Sequence, residues 1–445
     1  MTSPTFDLIL RGGTVCNQDG AYVRDVGIRG GRIASLNAGA GSDAGEVIDC
    51  AGLHLLPGVI DTQVHFREPG NTHKEDLAAG ARGAALGGVT AVFEMPNTNP
   101  LTTDEATLAD KLERARGMVV DHAFYMGATR ENTADLADLE RLPGVCGVKV
   151  FMGASTGNLL IEDDEGVEAV LRSGTRRAAF HSEDEYILRD NAALAREGDW
   201  ASHPEVRSPE AALRSTERLL ALARAAGRRI HVLHISTADE LEVLAAHRDV
   251  ATCEVTPQHL TLGMNAYEQM KGRAQMNPPI RGGHHRDGLW RALQDGLFDV
   301  IGSDHAPHTL EEKAKPYPHS PSGMPGVQTL LPVMLDHVAA GRLTLERLID
   351  LTSAGAQRVF GIANKGRLAI GYDADLTIVD LKARRTITDD QMANLSGWTP
   401  FDGREVQGWP KGTLIRGRRV MWEDELIGAP AGEPVRFTET LHPGA

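Results

Sequence analysis

His65 and Arg67 stand two residues apart in Ile60-Asp61-Thr62-Gln63-Val64-His65-Phe66-Arg67-Glu68-Pro69-Gly70, just past an apolar run over residues 53–60. Residues two apart on a strand share a face, so a metal-type ligand and a carboxylate binder would project together. The pattern recurs along the chain. Asn97 follows an apolar run at 89–95, Lys149 lies inside one at 147–151, and His181 ends one at 178–181. His234 lies at the end of the run 230–235, while Asp304, His305 and His308 follow 299–301. A single histidine at a strand end is usually a satisfied structural group. Polar groups at the ends of six strands need another explanation. Neutral imidazoles with a carboxylate suit Zn²⁺ or a similar divalent ion.

Lys149 is the unusual member, because a lysine inside an apolar strand is unfavourable to bury as a cation. It is either a lysine reaching out to a rim or a neutral amine that adds CO2. As a carbamate it would become an anionic oxygen ligand able to bridge two metals. Arg67 and Asn97 could hold a substrate carboxylate, the arginine through its planar fork; a surface salt bridge is the plainer reading of Arg67. Met276-Asn277-Pro278-Pro279 is too rigid for regular structure and could line a pocket or brace a loop. Glu68, Glu183, Asp184 and Glu185 read as structural or capping groups.

Eight apolar strands, at 59–65, 89–95, 122–126, 147–151, 178–181, 230–235, 251–255 and 299–301, alternate with helical patterns at 103–116, 208–226 and 238–246. This alternation predicts an α/β fold, a (β/α)8 barrel over residues 57–365, with an open doubly wound sheet as the competing arrangement. Active sites in such barrels sit at the C-terminal ends of the strands, where the polar residues fall. Residues 6–56 and 366–422 read instead as short strands with Gly-rich turns. They are expected to combine into one composite β-sandwich domain, 1–56 with 366–445, ending in a surface strap after Gly428.

The formal charge of −15 argues against nucleic acid or an anionic membrane as partner. The four cysteines, Cys16, Cys50, Cys146 and Cys253, are widely spaced and read as reduced, buried thiols. No basic, apolar leader opens the sequence and no apolar run is long enough to span a membrane, so a soluble cytoplasmic protein is expected.

Taken in order, Asp61-Thr62-Gln63-Val64-His65-Phe66-Arg67-Glu68-Pro69-Gly70, His73-Lys74-Glu75-Asp76-Leu77, Met95-Pro96-Asn97-Thr98, Lys149-Val150-Phe151-Met152-Gly153, His181-Ser182-Glu183-Asp184, His234-Ile235-Ser236 and Ser303-Asp304-His305-Ala306-Pro307-His308 resemble the dihydroorotases of the amidohydrolase superfamily. The resemblance covers roughly residues 50 to 330. It implies reversible cyclisation of N-carbamoyl-L-aspartate to L-dihydroorotate in pyrimidine synthesis. It also implies Zn²⁺ held by His181, His234 and carbamylated Lys149, and a second position at His65, Lys149 and Asp304. Asp304 would move the proton, while Arg67, Asn97 and His308, with Asn277 nearby, would bind substrate. The family usually carries His-x-His on the first strand, where this chain has Gln63-Val64-His65. An amide oxygen is a weaker zinc ligand than imidazole, so one tight ion and a second that is weak or absent are expected. The same departure suits an opposing reading, an inactive scaffold subunit for aspartate transcarbamoylase. A hydantoinase- or allantoinase-type cyclic amidohydrolase is a further alternative, over which Met95-Pro96-Asn97-Thr98 and Arg67-Glu68-Pro69-Gly70 favour dihydroorotase. A homodimer or homotetramer is expected.

Overall fold

The computed structural model describes residues 5–39, 41–154 and 159–441. Its strands fall into two sheets. Eight of them, β6 (Val59–Val64), β7 (Val89–Glu94), β8 (Asp121–Gly127), β9 (Val145–Phe151), β10 (Ala178–His181), β11 (Ile230–Val232), β12 (Ala251–Val255) and β13 (Val300–Ile301), follow one another in sequence order, all parallel. A parallel bridge between Val64 and His305, with the His65 N–H donating to the His305 carbonyl at 2.7 Å, joins the last strand to the first and closes the barrel. The strands read as apolar runs rather than alternating ones because helices cover them outside and side chains fill them inside. Every residue of β6, β7, β8 and β9 is buried.

Several of the helices between them start on side-chain caps. Asp76, Asp104, Asp163 and Ser208 each accept a backbone N–H at the head of Leu77–Leu86, Glu105–Arg114, Asp164–Arg172 and Pro209–Ala226. The last of these begins on proline and ends at Gly227, whose φ of 67° closes the helix in the left-handed region.

The remaining strands belong to the two ends of the chain. β1 (Phe6–Asn17), β2 (Gly20–Arg29), β3 (Arg32–Ser35), β4 (Ala44–Asp49) and β5 (His54–Pro57) join β14 (Leu376–Thr386), β15 (Glu405–Ile415), β16 (Arg418–Trp422) and β17 (Glu425–Leu426) in one nine-stranded sheet. β5 is the seam, parallel to β1 and antiparallel to β14. Leu10, Val26, Leu55, Leu376 and Leu414 form a core of its own beneath this sheet.

The tail after Gly428 does more than lie on the surface. It crosses the end of the barrel opposite the site, bridging His122 at Pro434, and inserts Val435 and Phe437 into the apolar cluster of Phe93, Tyr125 and Phe360. The four cysteines are free and buried. No helix among the described residues is long and apolar enough to cross a membrane.

Candidate active site

The strand ends bring the expected residues together. A small cavity at the C-terminal end of the barrel is lined by Gln63, His65, Lys149, His181, His234, Asn277 and Asp304, with free volume of about 20 Å³, room for a single water. Three of the residues that shape it hold backbone conformations with positive φ: Arg67 at 62°, His234 at 36° and Asp304 at 45°. Such conformations cost roughly 1–3 kcal/mol each and persist only where the surroundings dictate them. The turn at His234 also explains why β11 stops at Val232, short of the run to Ile235 that the sequence suggests.

Two donor pairs face the cavity. His181 Nδ1 and His234 Nε2 lie 3.0 Å apart. His65 Nε2 lies 3.3 Å from Asp304 Oδ1. Each histidine is pushed below its ordinary pKa, first by burial, so all three are neutral at physiological pH, as metal ligands must be. Lys149 is fully buried, its ammonium end 4.4 Å from the Phe151 ring centre. Burial lowers its amine to about 7, against the opposing pull of Asp304 and Glu254.

This donor chemistry fits a divalent ion. Two neutral imidazole nitrogens converge, and a carboxylate stands by the third imidazole. No three His, Cys, Asp or Glu side chains among the described residues complete a set on their own. The missing donor is what an oxygen on Lys149 would add.

The outer contacts orient these groups. Asn97 Oδ1 lies 2.8 Å from His65 Nδ1, so Asn97 faces the imidazole. Glu183, which the sequence suggests is a capping or structural group, instead accepts from His181 Nε2 at 2.8 Å and is gripped by Nε and Nη2 of Arg207. Burial would raise the Glu183 carboxyl, but Arg207 and His181 hold it well below the usual carboxylate range. A carboxylate behind a metal-binding histidine fixes its tautomer and aim. The neighbouring Asp184 is the cap, of Glu185–Asp190. Arg207 was invisible as a partner because it lies 24 residues beyond Glu183.

Arg67 is buried beside this cavity, donating from Nε to the Pro307 carbonyl at 3.2 Å, with Nη2 3.3 Å from His308 Nε2. His308 Nε2 also faces the Ser322 carbonyl at 3.0 Å and Nδ1 faces the Lys74 ammonium at 3.1 Å. Those partners require Nε2 to carry the proton and Nδ1 to accept, so the Arg67–His308 approach is packing rather than a hydrogen bond. Burial pushes His308 down to about 3. Asn277 reaches the cavity with its Oδ1 3.0 Å from His203 Nε2. Gly323 forms the opposite wall with φ of 132°, and a Cβ there would fall 2.5 Å from the Ala306 carbonyl oxygen.

Residues 54–420 match the amidohydrolase family. The chain belongs to the amidohydrolase family. This amidohydrolase is 40% identical over 425 residues to a dihydroorotase of Halobacterium salinarum, covering 93% of this chain and 97% of that one. It is 35% identical over 446 residues to an allantoinase of Rubrobacter xylanophilus, covering 97% and 98%. Among solved structures it superposes on the L-hydantoinase of Arthrobacter aurescens with a TM-score of 0.92 at 29% identity, over 97% of this amidohydrolase and all of that chain.

Proposed function

We propose that this amidohydrolase is a dihydroorotase that interconverts N-carbamoyl-L-aspartate and L-dihydroorotate. The observation that carries this reading is Arg67. Its guanidinium is buried two residues beyond His65, and among the described residues no carboxylate lies within ion-pair distance of it. Asp304, Glu94, Glu312 and Glu75 act on it only from beyond contact. A buried cation with no direct ion-pair partner is unfavourable, and a substrate carboxylate supplies one. Dihydroorotate carries that carboxylate; hydantoin and allantoin do not. Burial lowers Arg67 only to about 10, so it stays charged at neutral pH. Relatives named dihydroorotase at 33–40% identity over most of the chain support the same reading.

In this reading His181, His234 and a carbamate on Lys149 hold one divalent ion, and His65, Asp304 and Lys149, with Gln63 beside them, form a second position. A bound ion supplies polarisation of the amide carbonyl and acidification of water. The chain supplies the rest. Arg67, Asn97, Asn277 and His308 orient the substrate. Asp304 accepts a proton from the attacking water and delivers it to the ring nitrogen as the amide bond breaks. In cyclisation the same carboxyl takes the proton from the carbamoyl nitrogen.

The test is turnover of dihydroorotate, hydantoin and allantoin by the purified, zinc-supplied protein. Dihydroorotate consumed fastest supports the proposal. Faster turnover of allantoin or hydantoin would place it in those branches, and no turnover of any of them would favour the scaffold for aspartate transcarbamoylase.

A further inference from the structure

Between β14 and β15 the terminal sheet sends out a segment, residues 387–404, that reaches the active-site end of the barrel. It bonds the loop carrying Asp304 on both sides. At one side, the Leu395 N–H donates to Glu75 Oε1 at 3.3 Å, and Glu75 Oε2 lies 3.3 Å from His305 Nε2. The N–H groups of Gly326 and Val327 point at His305 Nδ1, which fixes the proton on Nε2 and makes it the donor to Glu75. At the other side, the fully buried Trp398 donates from Nε1 to the His308 carbonyl at 2.8 Å. The turn that presents Trp398 is tied by Asn394, whose Oδ1 accepts from the Gly397 N–H and whose Nδ2 donates to the Trp398 carbonyl.

The loop between these two ties needs them. Asp304 holds φ of 45°, an unfavourable conformation for a residue with a side chain, and it is maintained only if neighbouring contacts leave no alternative. The Trp398 ring also packs beneath Lys313, 5.9 Å from its ammonium, and Lys313 donates to the carbonyls of Gln275, Pro321 and Gly323. The terminal segment thus meets the loop and the cavity wall together.

We propose that residues 387–404 act as a clamp on the Asp304–His308 loop, with Glu75 and Trp398 as positioning residues. Glu75 keeps His305, and through it Asp304, in place. Trp398 keeps the backbone at His308 in place. The inference rests on the dihydroorotase reading only for the roles given to Asp304 and His308; the clamp itself is a statement about the loop.

The experiment compares Trp398→Phe, which keeps an aromatic ring and deletes the donor, with Glu75→Gln and the control Phe401→Leu. Phe401 is buried in the same segment but packs on Val333, Ile387 and Val406, away from the loop. Amide hydrogen exchange over residues 303–310 is read first, by mass spectrometry on the full chain. Trp398→Phe and Glu75→Gln should speed exchange there, while Phe401→Leu lowers thermal stability without doing so. In steady-state kinetics Trp398→Phe should raise KM about fivefold with kcat nearly unchanged, and Glu75→Gln should lower kcat about fivefold, in line with the loss of one hydrogen bond each. Unchanged exchange in both clamp variants, or the same exchange and kinetics in Phe401→Leu, overturns the clamp. A wild-type protein inactive on dihydroorotate would overturn the functional reading instead, and the exchange result still decides the clamp.

Discussion

The side-chain nitrogen of Gln63 donates to Oδ1 of Asp304 at 3.0 Å, while Gln63 Oε1 is buried without a partner among the described residues. The amide therefore presents its hydrogen-bearing end to the carboxylate. An ion shared by His65 and Asp304 has to compete with that hydrogen bond, and it gains a weaker ligand than imidazole if the amide turns over. At His181 and His234 an ion displaces only the hydrogen bond between the two rings, 3.0 Å long, and gains two imidazole ligands in exchange. Wild-type protein should retain one tight zinc after dialysis and lose most of a second. Gln63→His should raise the zinc content toward two per chain by elemental analysis. Two equally tight ions in the wild type would show that Gln63 is no handicap.

Lys149 sets the second expectation. Only a neutral amine adds CO2, and burial brings this amine down to about 7. At a fixed concentration of dissolved CO2, recovery of carbamate by metal-stripped, CO2-depleted protein should therefore quicken as pH rises from 6 to 8 and level off above. ¹³C-bicarbonate labelling reads it directly. Lys149→Ala should lose most metal and activity, with partial rescue by short carboxylic acids. Fully active protein of unmodified mass under gentle conditions would refute the carbamate.

Arg67→Met tests the substrate contact. Removing one charge-assisted interaction, about 1.5–3 kcal/mol, should raise KM for dihydroorotate and lower kcat/KM more than tenfold. Turnover of hydantoin, which lacks the carboxylate, should change little in the same variant. Equal losses on both compounds would mean that Arg67 serves the fold rather than the substrate.

Glu183→Gln addresses the group behind His181. The amide keeps the shape but removes the charge that pairs with Arg207 and the imidazole. Partners of this kind typically alter metal affinity 10–100-fold. Zinc competition with a chelator should show a loss in that range, with catalysis restored at saturating zinc. Unaltered affinity would leave Glu183 as packing for Arg207.

The barrel was legible because its strands are mostly apolar runs and helices such as Leu77–Leu86, Glu105–Arg114 and Pro209–Ala226 start on capping residues, both local signals. The convergence of His65, Lys149, His181, His234 and Asp304 was legible through their shared position at strand ends. What escaped was non-local. Glu183 looks like its capping neighbour Asp184 until Arg207 is placed beside it. Trp398 belongs by sequence to the terminal sheet and by contact to the loop of Asp304 and His308. The helical pattern at 238–246 breaks into a 3-10 turn, Ala238–Glu240, and a short α-helix, Leu241–Ala245, where Thr237 caps the turn. Val435 and Phe437 were unreadable as core because a Pro- and Gly-rich tail gives no periodicity.

His337 gives a pH test remote from the active site. It is buried against Trp290, with Nε2 2.9 Å from Thr261 Oγ1, and burial pushes it down to about 3. An unfolded histidine titrates near 6.5. Between these values the unfolded chain binds a proton that the folded chain refuses, so the stability His337 contributes is whole above about 6.5 and is lost as pH falls toward 3. His337→Gln keeps a polar partner for Thr261 and removes the titration. The wild type should exceed this variant in stability at pH 7.5, and the gap should shrink by on the order of 1 kcal/mol per pH unit below 6.5. Denaturant midpoints at pH 7.5, 6 and 5 measure it. A gap that stays constant across that range would mean that His337 takes up its proton without leaving the folded state.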